Sequence, residues 1–301
     1  MSPAGDPGAD RDRLLAELRP GAFAIAYRML GSVAEAEDVV QEGLLRFNQA
    51  LERGEEISSP RAYLATVVTR LAIDELRSAR ARRETYVGDW LPEPLLTAPG
   101  PGPAEQAEIA DSLSFAFLVL LEQLTPEERA ALLLHDVFDY GYGEVAEIVG
   151  KSEDNARQLA VRARRRVGEG RPRFEGGAAH QRELAVRFFE AAGRGDVAGL
   201  EALLARDVVL RGDGGGKVPA LARALHGANR VARTIVNWGK AGARTEISVR
   251  PAELNGCPGV ILIAADGSIF GAMALEIEGE RVVAVNSVVN PEKLAHLGRI
   301  V

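Results

Sequence analysis

Residues 142–167, YGEVAEIVGKSEDNARQLAVRARRRV, constrain the fold of this chain more than any other stretch. The spacing predicts a short helix over Gly143 to Val149, with Val145, Ala146, Ile148 and Val149 turned inward and Glu144 and Glu147 outward. Gly150 ends it, because glycine reaches the left-handed conformation that closes many helices. Ser152 then suits the N-cap of a second helix. In that helix Ala156, Leu159, Ala160, Ala163 and Val167 share one face. Arg157, Gln158, Arg162, Arg164 and Arg165 fall on the opposite arc. An arginine-rich arc alone reads as a solvated face in a bundle. A short helix and a glycine turn in front of it favour a helix-turn-helix, whose Arg and Gln can bond phosphates and base edges in a major groove.

The rest of the chain divides by composition. Residues 11–83 read as almost wholly helical. Ser32 and Glu35 form a capping box ahead of AEAEDVVQEGLLRF. Val33, Ala36, Val40, Leu44 and Phe47 mark its buried side, and Glu35, Asp38, Gln41 and Glu42 a mostly acidic stripe opposite. A third helix follows Ser59, with Pro60 in the first helical position. Its apolar face is Leu64, Val67, Val68 and Leu71, with Thr66, Thr69, Arg70, Arg77 and Arg80 on the other side. Five of the 15 prolines (Pro92, Pro94, Pro99, Pro101 and Pro103) then fall close together, so no helix crosses this linker. Trp90 and the leucines of YVGDWLPEPLL predict that its first half packs against a domain.

Helices resume near Glu105, and Thr125, Pro126 and Glu128 supply N-cap, first-turn proline and capping box for TPEERAALLLHDVF. After Arg173 and a FEGGAAH junction, residues 182–205 and 219–238 read as helices, the first with Leu184, Phe188, Leu200, Leu203 and Leu204 as apolar positions. Strand-like runs lie between and after them: DVVLRGD, RTEISVRPAEL, GVILIAAD, IFGAMALEIEG and RVVAVNSVVN, punctuated by turns such as Asp266-Gly267. Helices followed by a strand-rich tail predict an α+β domain.

At 301 residues the chain suits two or three domains. Its single cysteine, Cys257, excludes an internal disulfide and a Cys-cluster metal site, and it suits a reducing cytoplasm. No apolar run reaches the ~18–20 residues of a membrane span, and MSPAGDPGADRDR lacks the apolar centre of a signal peptide. A cytoplasmic protein without metal, cofactor or membrane partner is expected. Net charge is −7, yet Arg157 to Arg173 carries seven arginines against Glu169, and Arg70 to Arg83 carries five against Asp74 and Glu75. Two basic segments in an acidic protein fit local contact with DNA.

Three of these segments, in order, resemble an RNA polymerase sigma factor of the extracytoplasmic-function group. AEAEDVVQEGLLRF is similar to the polymerase-binding helix of sigma region 2, SPRAYLATVVTRLAIDELRSARARRE to its promoter-melting segment, and the helix-turn-helix to region 4. WLPEP at 90–94, DGGGK at 213–217 and NPEKL at 290–294 further resemble the subgroup with a fused SnoaL-like domain. Tyr63 stands where many relatives have Trp, and Thr69 or Arg70 where Asn is usual.

The resemblance implies a multidomain fold: two all-α domains, region 2 (11–83) and region 4 (106–173), joined by a linker (84–105), and an α+β SnoaL-like cone (180–301). It implies that Glu35, Asp38, Gln41 and Glu42 face the core polymerase. Arg61, Tyr63, Thr66, Arg70, Asp74, Arg77 and Arg80 would then hold the −10 element, and Arg157, Gln158, Arg162, Arg164 and Arg165 the −35 element. Arg171 and Arg173 would meet phosphates or lie on the surface. The partners implied are RNA polymerase core, promoter DNA and an intramolecular contact between the cone and the sigma core.

Two readings of the tail compete. In the first it regulates the sigma core through Trp90, Asp213, Gly214, Gly215, Gly216, Lys217, Asn290 and Pro291. In the second the chain is a helix-turn-helix regulator fused to a ligand-sensing or catalytic cone, with Asp213, His226 and Asp266 as candidates. His226 reads as part of a helix and Cys257 as a surface or edge residue. No His–carboxylate spacing points to a reaction, so the chain is not expected to be an enzyme.

Overall fold

The computed structural model describes residues 7–83, 86–97, 112–168 and 177–298. Pro99, Pro101, Pro103, Arg171 and Arg173, and the first residues of the helix expected from Glu105, lie outside them, as do the side chains of Arg80 and Arg83. The chain forms two compact units: Met1–Arg82 with Leu121–Glu169, and Arg83–Leu120 with Gly170–Val301. Among the described residues no helix is long and apolar enough to cross a membrane.

The first unit is helical. Helices α1 (Pro7–Leu30), α2 (Val33–Glu52) and α3 (Pro60–Arg83) precede the linker. Ser32 Oγ accepts from Glu35 N at 3.1 Å and Ser59 Oγ from Ala62 N at 3.3 Å, so both expected caps form. Tyr27, Met29, Leu30, Phe47 and Leu64 are among the largest fully buried side chains. Gly43 lets α2 and α3 approach closely, since a Cβ there would lie 2.9 Å from Val68 Cγ2. Gly43→Val is therefore expected to cost about 1–3 kcal/mol through overpacking, read by urea unfolding. Thr69 departs from the sequence reading. It is fully buried beside Val68 and Ala72, because the core-facing arc of α3 is wider than its aliphatic residues suggest.

After the linker come α5 (Pro126–Asp136), α6 (Tyr142–Val149) and α7 (Glu153–Gly168). Thr125 and Glu128 make the reciprocal capping box. Gly150 closes α6 at φ 68°, in the left-handed region, as the sequence predicts. Ala131, Leu134, Val145, Ala146, Ile148, Ala156, Leu159 and Ala160 form one core, so α6 and α7 pack on α5 as a helix-turn-helix.

The second unit is α+β. It contains α4 (Phe115–Leu121, whose last residue belongs to the first unit), α8 (Ala178–Arg194), α9 (Val197–Leu203) and α10 (Ala228–Arg244). The strands are β1 (Leu204–Asp213), β2 (Leu225–His226), β3 (Ser248–Leu254), β4 (Cys257–Ile263), β5 (Ile269–Glu278) and β6 (Arg281–Val288), with α11 (Pro291–Leu294) after them. They form one sheet in the order β2-β1-β6-β5-β4-β3, in which β1 and β6 are parallel and the other pairs antiparallel.

Alternation along the strands divides the apolar residues between two faces. Val260, Leu275, Ile277 and Val285 pack with Phe188, Val231 and Ile235 of the helices. Ile261, Ala272, Ala274 and Val288 pack with Leu91 of the linker and Phe115 of α4.

Four of the five strand runs form as read and RTEISVRPAEL forms only from Ser248, because Arg244 still belongs to α10; the helices shift too. The helix expected over 182–205 splits at Gly195, left-handed at φ 72°, where Asp196 caps α9 by accepting from Gly199 N at 2.8 Å. Leu204 already belongs to β1. The helix expected over 219–238 starts instead at Ala228, after Gly227 at φ 96°. His226 accordingly lies in a strand, paired with Val209. Cys257 is no surface residue: it opens β4 at 1% exposure, inside the linker-facing core.

Candidate nucleic-acid interface and linker latch

The outward arc of α7 holds Arg157, Gln158, Val161, Arg162 and Arg165, all exposed. Arg157 pairs with Glu153 at 3.2 Å and its guanidinium carbon lies 5.1 Å from the centre of the Tyr142 ring. Arg162 and Arg166 both reach Glu128, at 3.2 and 2.6 Å. Burial works against ionisation of Glu128, yet the Thr125 N–H and the two guanidiniums outweigh it and hold its pKa below the ordinary range. Arg164 sits closer to the buried stripe than the other arginines. It donates to Asp136 Oδ2 at 2.7 Å and to the Tyr142 hydroxyl at 3.1 Å, and the first of these bonds raises its pKa. Gln158 and Arg165 are left at the centre of the open arc.

On α3, Arg61 is exposed and the Tyr63 ring packs 5.7 Å from that of Phe47. Thr66 Oγ1 turns back to Ala62 O at 2.8 Å. Arg70 donates to Glu147 O and Ile148 O at 2.7 and 2.9 Å, where the last carbonyls of α6 lack helical partners. Asp74 holds Arg77 at 3.1 Å, and Arg77 reaches Glu127 at 2.6 Å. The expected basic surface is thus partly engaged by acids and carbonyls of the same unit. On α2, Asp38 and Gln41 are exposed, Glu42 pairs with Arg46 at 2.7 Å, and Glu35 is half-buried. Leu45 is exposed beside Gln41 and Glu42.

In the second unit the three short motifs of the sequence converge. Asp213, fully buried at the end of β1, accepts from the Tyr86 hydroxyl at 2.6 Å, Leu91 N at 2.8 Å, Lys293 Nζ at 2.7 Å and Gly215 N at 3.0 Å. The Lys293 ammonium also donates to Leu91 O and lies 4.3 Å from the centre of the Trp90 ring and 4.9 Å from that of Tyr86. Asn290 Nδ2 donates to the Tyr86 hydroxyl at 3.0 Å. Burial first, and then the bond to Asp213, raises the pKa of Tyr86. Gly215 is required where it stands: φ is 59°, and a Cβ would lie 2.3 Å from Asn290 Nδ2. Lys217 pairs with Glu292, and Pro291 opens α11 behind the Asn290 cap.

More fastenings continue along the linker. His296 Nε2 lies 2.8 Å from Pro94 O. Asn255 exchanges bonds with the backbone of Leu95 and donates to Leu113 O at 3.1 Å. Buried Glu276, its pKa raised by burial, accepts from Ala116 N at 2.6 Å and Asn286 Nδ2 at 3.0 Å. Sequence reasoning missed Tyr86, Lys293, His296, Asn255 and Glu276. Only Tyr86 beside Trp90, and the lysine inside NPEKL, left a signal. The catalytic candidates separate: Asp213 is in the latch, His226 is exposed on β2, and Asp266 accepts from Ser268 N and Oγ in a turn.

Residues 14–82 match the family described as Sigma-70 region 2, and residues 114–167 that described as Sigma-70, region 4. The chain is 40% identical over 295 residues to the ECF RNA polymerase sigma factor SigJ of Mycobacterium tuberculosis, covering 92% of this chain and 90% of that one. It is 31% identical over 273 residues to the probable ECF RNA polymerase sigma factor SigI of the same organism, covering 90% of each. The crystal structure of Mycobacterium tuberculosis SigJ superposes with a TM-score of 0.74 at 36% identity, over 94% of this chain and 98% of that one.

Proposed function

Because this chain belongs to the extracytoplasmic-function RNA polymerase sigma factors, we propose that its SnoaL-like domain tunes promoter use by gripping the linker that joins regions 2 and 4. As a sigma factor the chain directs core polymerase to promoters through those two regions. The linker sets how far apart they can reach, so a domain that fastens the linker controls which pairs of promoter elements both regions can engage. The observation that carries this reading is the buried Asp213–Lys293 pair, which clasps Tyr86, Trp90 and Leu91.

Glu35, Asp38, Gln41 and Glu42 are assigned to the polymerase, where charge adds more to association rate and selectivity than to affinity. The α3 residues Arg61, Tyr63, Thr66, Arg70, Asp74 and Arg77, with Arg80, are assigned to the opened −10 strand, where Tyr63 and the arginines can stack on bases and hold phosphates. Arg157, Gln158, Arg162, Arg164 and Arg165 are assigned to the −35 duplex. Arg70 has then to leave the carbonyls of α6, and Arg164 has to leave Asp136. Asp213 is an anchor and not an acid or base, so the cone acts by binding.

Gly215→Trp tests the latch, because no side chain fits between the loop and Asn290. The variant is expected to change promoter-dependent run-off transcription with core polymerase several-fold while the helical unit melts as in the parent. Equal transcription would sink the latch reading. Arg165→Ala is expected to weaken −35 binding by about 1–3 kcal/mol if it reads a guanine, and to lower the salt slope of binding by about 0.9 if it holds a phosphate. Unchanged binding across a salt series would remove Arg165 from the assignment.

A further inference from the structure

A third basic segment lies in the C-terminal unit. Between Arg223 and Arg250 the chain carries six basic residues and one acid, Glu246, against a net charge of −7 for the whole. Helix α10 (Ala228–Arg244) holds four of the basic residues and no acidic one. Its inner face, Val231, Ala232, Ile235 and Val236, is buried against the sheet. Arg230, Arg233, Asn237, Lys240 and Arg244 recur at three- and four-residue steps, so they form one stripe about 21 Å long. All five are exposed.

Three other helices pair a surface arginine with an acid one turn away. Arg46 pairs with Glu42, Arg157 with Glu153, and Arg194 with Glu190. On α10, Arg233 donates to Asn229 at 3.1 Å, and Arg230, Lys240 and Arg244 stand in no ion pair among the described residues. A single-sign stripe without internal partners carries a self-repulsion that a polyanion would relieve.

We propose that this stripe docks the phosphate backbone of duplex DNA flanking the −10 and −35 elements. The inference rests on the chain acting at promoter DNA as a sigma factor. Duplex DNA presents one negative charge per ~1.7 Å of axis, a density that four cations along one helix match better than an ordinary protein surface does. The arginines can hold phosphates through paired N–H groups, and Asn237 in the middle of the stripe can donate to a phosphate oxygen. Such contacts carry no sequence information. They add affinity and orient the C-terminal domain on the DNA.

The test uses holoenzyme reconstituted from core polymerase and the full chain, with binding followed by fluorescence anisotropy. One promoter fragment keeps its flanks, and a second is trimmed to the two elements. The variant combines Arg230→Ala, Arg233→Ala, Lys240→Ala and Arg244→Ala. A control combines Arg230→Lys, Arg233→Lys and Arg244→Lys, which preserves the charge.

On the long fragment the alanine variant is expected to lower the slope of log affinity against log salt by roughly 3 to 4. Between 50 and 200 mM salt the parent would then lose about 100-fold more affinity than the variant. The lysine control is expected to keep the parent slope, and the trimmed fragment to bind all three chains alike. An unchanged slope on the long fragment overturns the proposal. A loss of equal size on both fragments does so too, and weakened binding to core polymerase would assign the stripe to a protein partner instead. If the parent holoenzyme showed no promoter preference, the sigma assignment would fail, while the slope difference on non-promoter duplex would still decide the stripe.

Discussion

Lys293→Ala is expected to destabilise the C-terminal unit by about 3–5 kcal/mol, because it strands a buried carboxylate. The side chain of Asp213 is 0% exposed and that of Lys293 9%, so the carboxylate that loses its ammonium lies away from bulk water. The Tyr86 hydroxyl and the N–H groups of Leu91 and Gly215 still donate to Asp213, which holds the loss toward the lower end of that range. Urea unfolding followed by tryptophan fluorescence measures it, since Trp90 lies against the ammonium. Replacing both partners, as Asp213→Asn with Lys293→Met, is expected to recover part of the stability, because a neutral pair removes the stranded charge while the amide nitrogen cannot accept one of the N–H bonds that the carboxylate held. Equal stability of Lys293→Ala and the parent would mean that the pair is solvated.

Arg129→Ala is expected to cost the helical unit about 3–5 kcal/mol as well, through the loss of a buried, fully bonded charge. Arg129 is 3% exposed and donates to Met29 O and Leu121 O, each at 2.6 Å, and to Glu122 at 2.8 Å. It thereby ties the end of α1 in region 2 to α5 in region 4. Without it the Met29 carbonyl and the half-buried Glu122 carboxylate each lose a charged donor, and the Leu121 carbonyl keeps only the N–H of Leu124. Arg129→Lys is expected to recover only part of the loss, because one ammonium lacks the planar fork that reaches all three acceptors. Thermal melting of the full chain measures both variants. A melting temperature for Arg129→Ala within error of the parent would remove Arg129 as the tie.

Much of the helical half was legible because its signals are local. Ser59-Pro60, Thr125-Pro126 with Glu128, and Gly150 each act within one turn, and each forms as read. The strand runs were legible for the same reason. The boundaries at Gly195 and Gly227 were not, since a left-handed glycine ends or precedes a helix only where the next residues find other partners. Thr69 and Cys257 misled because burial depends on what packs above them, which a hydroxyl or a turn-like NGCPG does not report.

The latch shows the same limit. Asp213, Asn290 and Trp90 stood out by motif, but Lys293 reaches Asp213 across 80 residues and Tyr86 reaches it across 127. Arg70 was legible as a basic side chain on the outer face of α3. Its engagement with the carbonyls of α6 was not, because no side-chain pattern encodes an orphan backbone acceptor.

The most direct measurement is run-off transcription by core polymerase over a randomised promoter library, comparing the parent with the Gly215→Trp chain, in which no side chain fits between the loop and Asn290. The latch account predicts that the parent selects promoters with a −35 and a −10 element at a narrow spacing. It predicts that the Gly215→Trp chain, its helical unit folded as in the parent, broadens that spacing and changes output several-fold. An identical spectrum and output from the two chains would contradict the account.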